Sequence, residues 1–219
     1  MDFAILKNLK KWSAQKVIPK TLIFCGLLSS LLYVAMNVMI PMQWDGYSVF
    51  SQTVSELSAI GAPTRPLWVK LGIIYTLLMT AFGFGVWLSA SKNRKLRIVG
   101  GLAIAFGLIG LFWPPMHLRG TIYTITDTLH IVFAMVELLL MILMISFGAT
   151  ALGRRFKIYS FLTLLIFVIF GILTGMEAPN IAVNQPTPWI GLWERINMAA
   201  FLLWVALLSV LLLKMGKSK

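Results

Sequence analysis

Six apolar stretches, each close to the length needed to cross a lipid bilayer, take up most of this 219-residue chain: 21–42, 67–90, 98–113, 127–152, 158–176 and 193–213. A helix needs about 20 residues to span the hydrocarbon layer, so stretches of this length read as transmembrane helices. The expected fold is all-α: a polytopic membrane protein built as a six-transmembrane-helix bundle. Hydrophobic residues make up 59% of the chain and charged residues 12%, which excludes an ordinary soluble domain. The third stretch is the shortest and ends at Trp113-Pro114-Pro115, so a tilted or partly broken span is expected there.

Orientation follows from the basic residues. Lys7, Lys10, Lys11, Lys16 and Lys20 precede the first stretch, and Lys92, Arg94, Lys95 and Arg97 join the second to the third. Arg154, Arg155 and Lys157 join the fourth to the fifth, and Lys214, Lys217 and Lys219 follow the sixth. Only Arg65, Lys70, Arg119 and Arg195 remain, of 19 in all, for the opposite side. Positive residues accumulate on the cytoplasmic side, so both termini are expected there and the location is the cell membrane, multi-pass. Asp45, Glu56, Asp127, Glu177 and Glu194 fall at the outer side, with both histidines and the tryptophans Trp44, Trp68, Trp113, Trp189 and Trp193, an expected interfacial belt.

Residues 1–20 read as a basic amphipathic segment on the cytoplasmic membrane surface, with Phe3, Leu6, Leu9 and Trp12 as its apolar stripe. Residues 21–213 form one membrane domain and 214–219 a cytoplasmic tail. The net charge of +12 sorts by membrane side and so points to lipid, not to nucleic acid. The one cysteine, Cys25, lies inside the first stretch and permits no intramolecular disulfide. Small residues four apart (Gly101/Ala105, Ala103/Gly107, Ala81/Gly85, Gly171/Gly175) predict close helix contacts.

Glu137 is the residue that points to function. It lies in the middle of the fourth stretch, where a carboxylate costs about 2.5 kcal/mol or more, so it must face a protein interior or a wet cavity. Two readings stand for it: a carboxyl hydrogen-bonded inside the bundle, or a ligand or proton site. Asn37, Lys70, Tyr75, Thr80 and Asn197 are its candidate partners. Asp127 and His130 share a face at the start of the same helix. Asp127 reads either as a helix cap or as the group that orients His130, the candidate catalytic base. His117, Asp127 and His130 together make a plausible three-ligand zinc set. No cofactor is otherwise predicted.

Thr53-x-x-Glu56 is a capping-box pattern, and Gly61 with Pro63 is a stop signal, so a short helix is expected over 54–60, at the interface or dipping into the bundle. Ser51, Ser55 and Ser58 would line one of its faces. Glu194 suits a helix N-terminus, and Arg195 suits pairing with Glu177, Glu56 or Asp127, or binding a phosphate or carboxylate.

The motifs Ser51-x-x-Val54-Ser55-Glu56-Leu57-x-x-x-Gly61-x-Pro63, Asp127-x-x-His130 and Gly191-Leu-Trp-Glu194-Arg195-Ile196 resemble the prokaryotic membrane family called domain of unknown function 998. The resemblance covers nearly the whole chain. It implies a six-helix membrane protein without an assigned activity, and it implies that Glu56, Asp127, His130, Glu194 and Arg195 belong to one site. A more distant likeness is to the alkaline ceramidase and adiponectin-receptor group of zinc hydrolases, from which this chain departs in having two histidines and six spans.

The leading expectation is an outward-facing polar pocket that binds a lipid or other amphiphile, with Ser55, Glu56, Glu137, Glu194 and Arg195 as ligand-binding residues. The alternatives are an outer-leaflet lipid hydrolase or transferase, with zinc or without, using His130 and Asp127, and a small proton-coupled transporter using Glu137.

Overall fold

The computed structural model describes the backbone of residues 3–215 and the side chains of residues 20–215. The stripe expected at the N-terminus and the last two lysines lie outside those side chains. The described residues form six α-helices: α1 (Phe3–Met39), α2 (Arg65–Ser89), α3 (Arg94–Gly110), α4 (Ile125–Ala149), α5 (Arg154–Ala182) and α6 (Ile190–Met215). No strand occurs among the described residues, only an isolated bridge between Ile60 and His117. Five of the helices are long and apolar enough to cross a membrane: α1 from Lys20 onward, α2, α4, α5 and α6. The exception is α3. Its 17 residues rise about 25 Å, short of the roughly 30 Å hydrocarbon layer.

Local chemistry sets the helix ends. The Asn93 side chain caps α3 by accepting from the Leu96 N–H at 3.1 Å, and its amide also donates to the Ala151 carbonyl at 2.9 Å. That second bond ties the α2–α3 turn to the α4–α5 turn. Thr124 and Asp127 form a reciprocal capping box at the start of α4. α5 runs past Pro179, which forfeits one bond of the helical ladder. It stops where Asn184 takes a left-handed φ of 54°. There the Gln185 N–H reaches the Asn180 carbonyl at 2.8 Å and the Asn184 N–H reaches Ile181 at 3.1 Å, a Schellman closure. The helix therefore runs six residues beyond the apolar stretch that ends at Met176, to Ala182.

Each helix packs chiefly on its neighbours in chain order, and α1 closes the ring on α6. Gly83 and Gly100 bring α2 and α3 into backbone contact: a Cβ on Gly100 would lie 2.6 Å from the Trp87 nitrogen, and one on Gly83 2.6 Å from the Ile104 nitrogen. Gly85 does the same against Ile23 of α1, and Gly107 against Thr80. Association through small residues is how helices pack where lipid removes the hydrophobic drive between them.

The ring is filled at the end that carries the basic turns. Phe82, Val86, Val99, Trp204 and Leu208 are buried there in one cluster. Trp204 donates its indole N–H to Ser160 Oγ at 2.9 Å, so its polar atom is satisfied inside the core. Outward faces are apolar: Val132, Val136 and Leu139 on α4, and Phe161, Leu165, Val168 and Ile172 on α5, are all exposed. This is the pattern of helices bathed in lipid. At the opposite end the ring is hollow, and the long loops cover it.

Candidate functional site: a roofed cavity

The roof is three loops joined by polar contacts. In the first, the 54–60 helix is realised as a single 3-10 turn, Ser55–Ser58, with Glu56, Leu57 and Ser58 buried. It is folded inward, not laid on an interface, because Leu57 joins Met36, Ile40, Val54 and Trp68 in a second apolar cluster. Trp68 is thereby drawn out of the expected tryptophan belt. Thr53 and Glu56 make the capping-box exchange: Glu56 Oε2 accepts from the Thr53 N–H at 2.7 Å, and Thr53 Oγ1 accepts from the Glu56 N–H at 3.2 Å.

Glu56 has no exposed surface, and Arg119 of the second loop neutralises it. Nε donates to Oε1 at 2.6 Å and Nη2 to Oε2 at 2.8 Å, the forked geometry that suits guanidinium to carboxylate. Arg119 also donates to Thr187 Oγ1 of the third loop at 2.6 Å and to the Ser51 carbonyl at 2.9 Å. Thr187 in turn donates to the Ser51 carbonyl at 2.8 Å. One arginine thus holds three loops. No local motif marks Arg119 for this role, although it is one of four basic residues on the acid-rich side.

The start of α6 is locked to the first loop. The Phe50 carbonyl accepts from the N–H groups of Gly191 and Leu192 at 2.8 and 3.1 Å, meeting the unsatisfied donors of a helix N-terminus. A Cβ on Gly191 would lie 2.1 Å from the Gln52 carbonyl oxygen, so only glycine permits this approach. Glu194 Oε2 accepts from the Val54 N–H at 2.7 Å. Arg195 binds no carboxylate. It donates to the carbonyls of Val49, Gln52 and Gly191 and to the Tyr47 hydroxyl at 2.7 Å, because the first loop's carbonyls converge on the first turns of α6. Burial pushes the Tyr47 phenol up to about 12, against the pull of the Arg195 guanidinium. The phenol therefore keeps its proton and donates to the Thr53 carbonyl at 2.7 Å.

Asp127 and His130 share a face of α4, as their spacing requires, but they do not pair by hydrogen bond. Asp127 accepts from the Thr124 N–H at 2.8 Å and from the His117 N–H at 2.6 Å, and its Oδ2 meets His117 Nδ1 at 2.9 Å. Since a carboxylate accepts, Nδ1 of His117 carries the proton. His130 Nδ1 faces the Pro114 carbonyl at 2.8 Å and is the donor for the same reason. Its ring meets Trp113 edge-on, with centroids 5.0 Å apart. The expected zinc set is not assembled: among the described residues no group of three or more His, Cys, Asp or Glu side chains is placed to hold a metal.

Beneath the roof lies a cavity of about 580 Å³. Ser55, His117, Asp127, His130, Glu137 and Glu194 line it, whereas Glu56 and Arg195 lie behind the lining, in the contacts that hold the roof. Most of the wall is apolar or aromatic, including Tyr33, Trp68, Phe106, Met141 and Phe167. Glu137 projects beside Gly110, its Oε1 3.3 Å from where a Cβ there would be, and no side chain or backbone group among the described residues hydrogen-bonds it. Its candidate partners are engaged elsewhere or idle. Asn37 donates to the Tyr33 carbonyl at 3.0 Å, and Thr80 to the Thr76 carbonyl at 2.8 Å. Asn197, with its amide turned to suit its neighbours, reaches the Ile166 carbonyl and the Gly171 N–H. Tyr75, 5% exposed and also in the lining, has a hydroxyl without a partner among the described residues. Gly175 and Gly72 complete the wall where a side chain would meet nothing within 4 Å.

An all-α ring with lipid-compatible outer faces, hollow at one end and roofed by interlocked loops, is the architecture of a multi-pass membrane protein with an internal cavity. The chain belongs to the family described as protein of unknown function (DUF998), which it matches over residues 27–211. No curated protein and no solved structure matches it.

Proposed function

We propose that this is a six-span protein of the cell membrane, with both termini in the cytoplasm, that holds a lipid or other amphiphile in its roofed cavity at the extracytoplasmic side. The six-span topology is supported by α3 running between the same two ends of the ring as its neighbours α2 and α4; a short span is accommodated by local thinning of the bilayer. The orientation rests on the basic turns at the filled end of the ring.

Amphiphile binding rests on one observation above all. The Tyr75 hydroxyl is buried without a partner among the described residues, and the Glu137 carboxyl makes no hydrogen bond to a described residue, in a cavity whose walls are otherwise largely apolar. Ligand sites have this make-up, an apolar container with a few placed polar groups. Buried polar groups left unpaired cost about 1–3 kcal/mol each, and a bound headgroup relieves that cost.

Native mass spectrometry of the detergent-purified protein tests the proposal. The unaltered protein is expected to carry a discrete lipid mass, and Gly175→Leu, which adds a side chain at the cavity wall where a Cβ meets nothing within 4 Å, is expected to lose it. A bare protein, or a mass retained equally by the variant, would overturn the reading.

A second reading, hydrolysis or group transfer on the same ligand, is favoured by the His117–Asp127 pair. Asp127 fixes the tautomer that leaves Nε2 of His117 as a base, the usual base–orienter arrangement. Release of fatty acid from a bound lipid, abolished in His117→Gln, is the outcome it requires.

A further inference from the structure

We infer that the cavity selects amphiphiles with a cationic head: an ammonium group on an apolar body, seated against Glu137. The inference rests on the amphiphile-binding reading and adds to it the chemical class of the ligand.

The first support is an imbalance between acceptors and donors. Three carboxyl groups line the cavity: Asp127, both oxygens of which are taken up by His117 and Thr124, and Glu137 and Glu194. Glu137 has no hydrogen-bond partner among the described residues, and Glu194 uses only Oε2, for the Val54 N–H. The cationic or protonated groups of the lining are all at the roofed end, and each is already engaged. Arg119 is forked onto Glu56, Arg65 donates to the Ser58 carbonyl, His117 faces Asp127, and His130 donates to the Pro114 carbonyl. Away from the roof the lining therefore offers the Glu137 carboxyl and no competing cation. A carboxylate or phosphate head would find no cation to pair with there; an ammonium meets a carboxyl that lacks a counter-charge.

The second support is the wall around that carboxyl. Tyr33, Trp68, Tyr75 and Phe106 form a run of rings in the lining. Tyr33 and Tyr75 are 4.7 Å apart between centroids, Tyr33 and Trp68 5.8 Å, and Tyr75 and Phe106 6.4 Å. Rings at such distances pack on one another as one continuous aromatic wall, and an ammonium seated on the side of that wall that lines the cavity is held by cation–π attraction. The Tyr75 hydroxyl, still without a partner, supplies an additional acceptor.

Isothermal titration in maltoside micelles with n-octylamine, n-octanol and octanoate, three probes of one tail length, tests the class. The unaltered protein is expected to bind octylamine about tenfold or more tighter than the other two, the worth of one charge-assisted contact. Glu137→Gln, which keeps the shape, is expected to erase that preference, and Gly175→Leu and Gly72→Leu to erase binding of all three. Equal binding of the three probes, or an octylamine preference that survives Glu137→Gln, overturns the cationic assignment while leaving the cavity as a binding site. Heats that do not differ between the unaltered protein and both leucine variants overturn the cavity reading and this inference together.

Discussion

Arg119 and Glu56, 63 positions apart in sequence, meet as a forked ion pair on a carboxylate with no solvent exposure. Removing one partner strands the other. Arg119→Met is expected to destabilise the protein by about 3–5 kcal/mol, the usual cost of leaving a buried charge uncompensated. The double variant Arg119→Met/Glu56→Gln is expected to recover part of that loss. Chemical unfolding in detergent, followed by circular dichroism, measures both; additive losses would mean that the pair is not the keystone of the roof.

The α6 N-terminus depends on one missing side chain. A methyl on Gly191 would lie 2.1 Å from the Gln52 carbonyl, a backbone atom that cannot swing aside. Gly191→Ala is expected to lift the first loop from α6 and cost about 1–3 kcal/mol, as overpacking does. Limited proteolysis should then cut within 41–64, a segment protected in the unaltered protein.

Gly100 makes the equivalent demand between α2 and α3, where a Cβ would lie 2.6 Å from the Trp87 nitrogen. Gly100→Val is expected to push the two helices apart and cost about 1–3 kcal/mol. The contrast is Gly175→Leu, which faces open cavity and is expected to leave the unfolding midpoint unchanged or raise it. Thermal unfolding of the two variants side by side checks the distinction between a packed glycine and an empty one.

Tyr47 confers a pH dependence of known sign. Its phenol is raised from the ordinary value of 10 to about 12 by burial, so the folded state holds the proton more tightly than the unfolded state. Stability from this group is present in full below pH 10 and declines as pH rises from 10 to 12. Tyr47→Phe is expected to lower the melting temperature at neutral pH and to flatten the decline above pH 10. An alkaline decline identical in the variant would assign it to other groups.

Much of the helix map could be read from the chain. The stretches at 21–42, 158–176 and 193–213 each lie within one of the five long apolar helices, and those at 67–90 and 127–152 overrun theirs by one and three residues. The third, at 98–113, became a 17-residue helix that ends at Gly110, before Trp113-Pro114-Pro115. The capping residues Thr53, Glu56 and Asp127 were also legible, since a cap is a contact between neighbours in sequence. Of the small-residue pairs, Gly85 and Gly107 do press against other helices, while Gly175 turned out to face the cavity. Spacing alone cannot tell these apart, because each glycine lies on a helix face whose neighbour is set elsewhere.

The site was legible in its membership and not in its pairings. Six of the residues singled out line one cavity, since acids, histidines and serines had all been gathered on one side of the membrane domain. Their roles were not legible. Asp127 was read beside His130, three residues on, yet it binds His117, ten residues back and in a loop. Arg195 was matched to acids and binds carbonyls, while Arg119 took the acid instead. Hydropathy sums locally along a helix, so spans, caps and the sorting of charge follow from residues close together in the chain. The ring closure of α1 on α6, the folding of three loops over one end, and the hollow that leaves Glu137 without a partner arise from contacts between distant segments. Many alternative pairings of the same polar groups satisfy the same hydrogen-bonding rules, and only the packed chain selects among them.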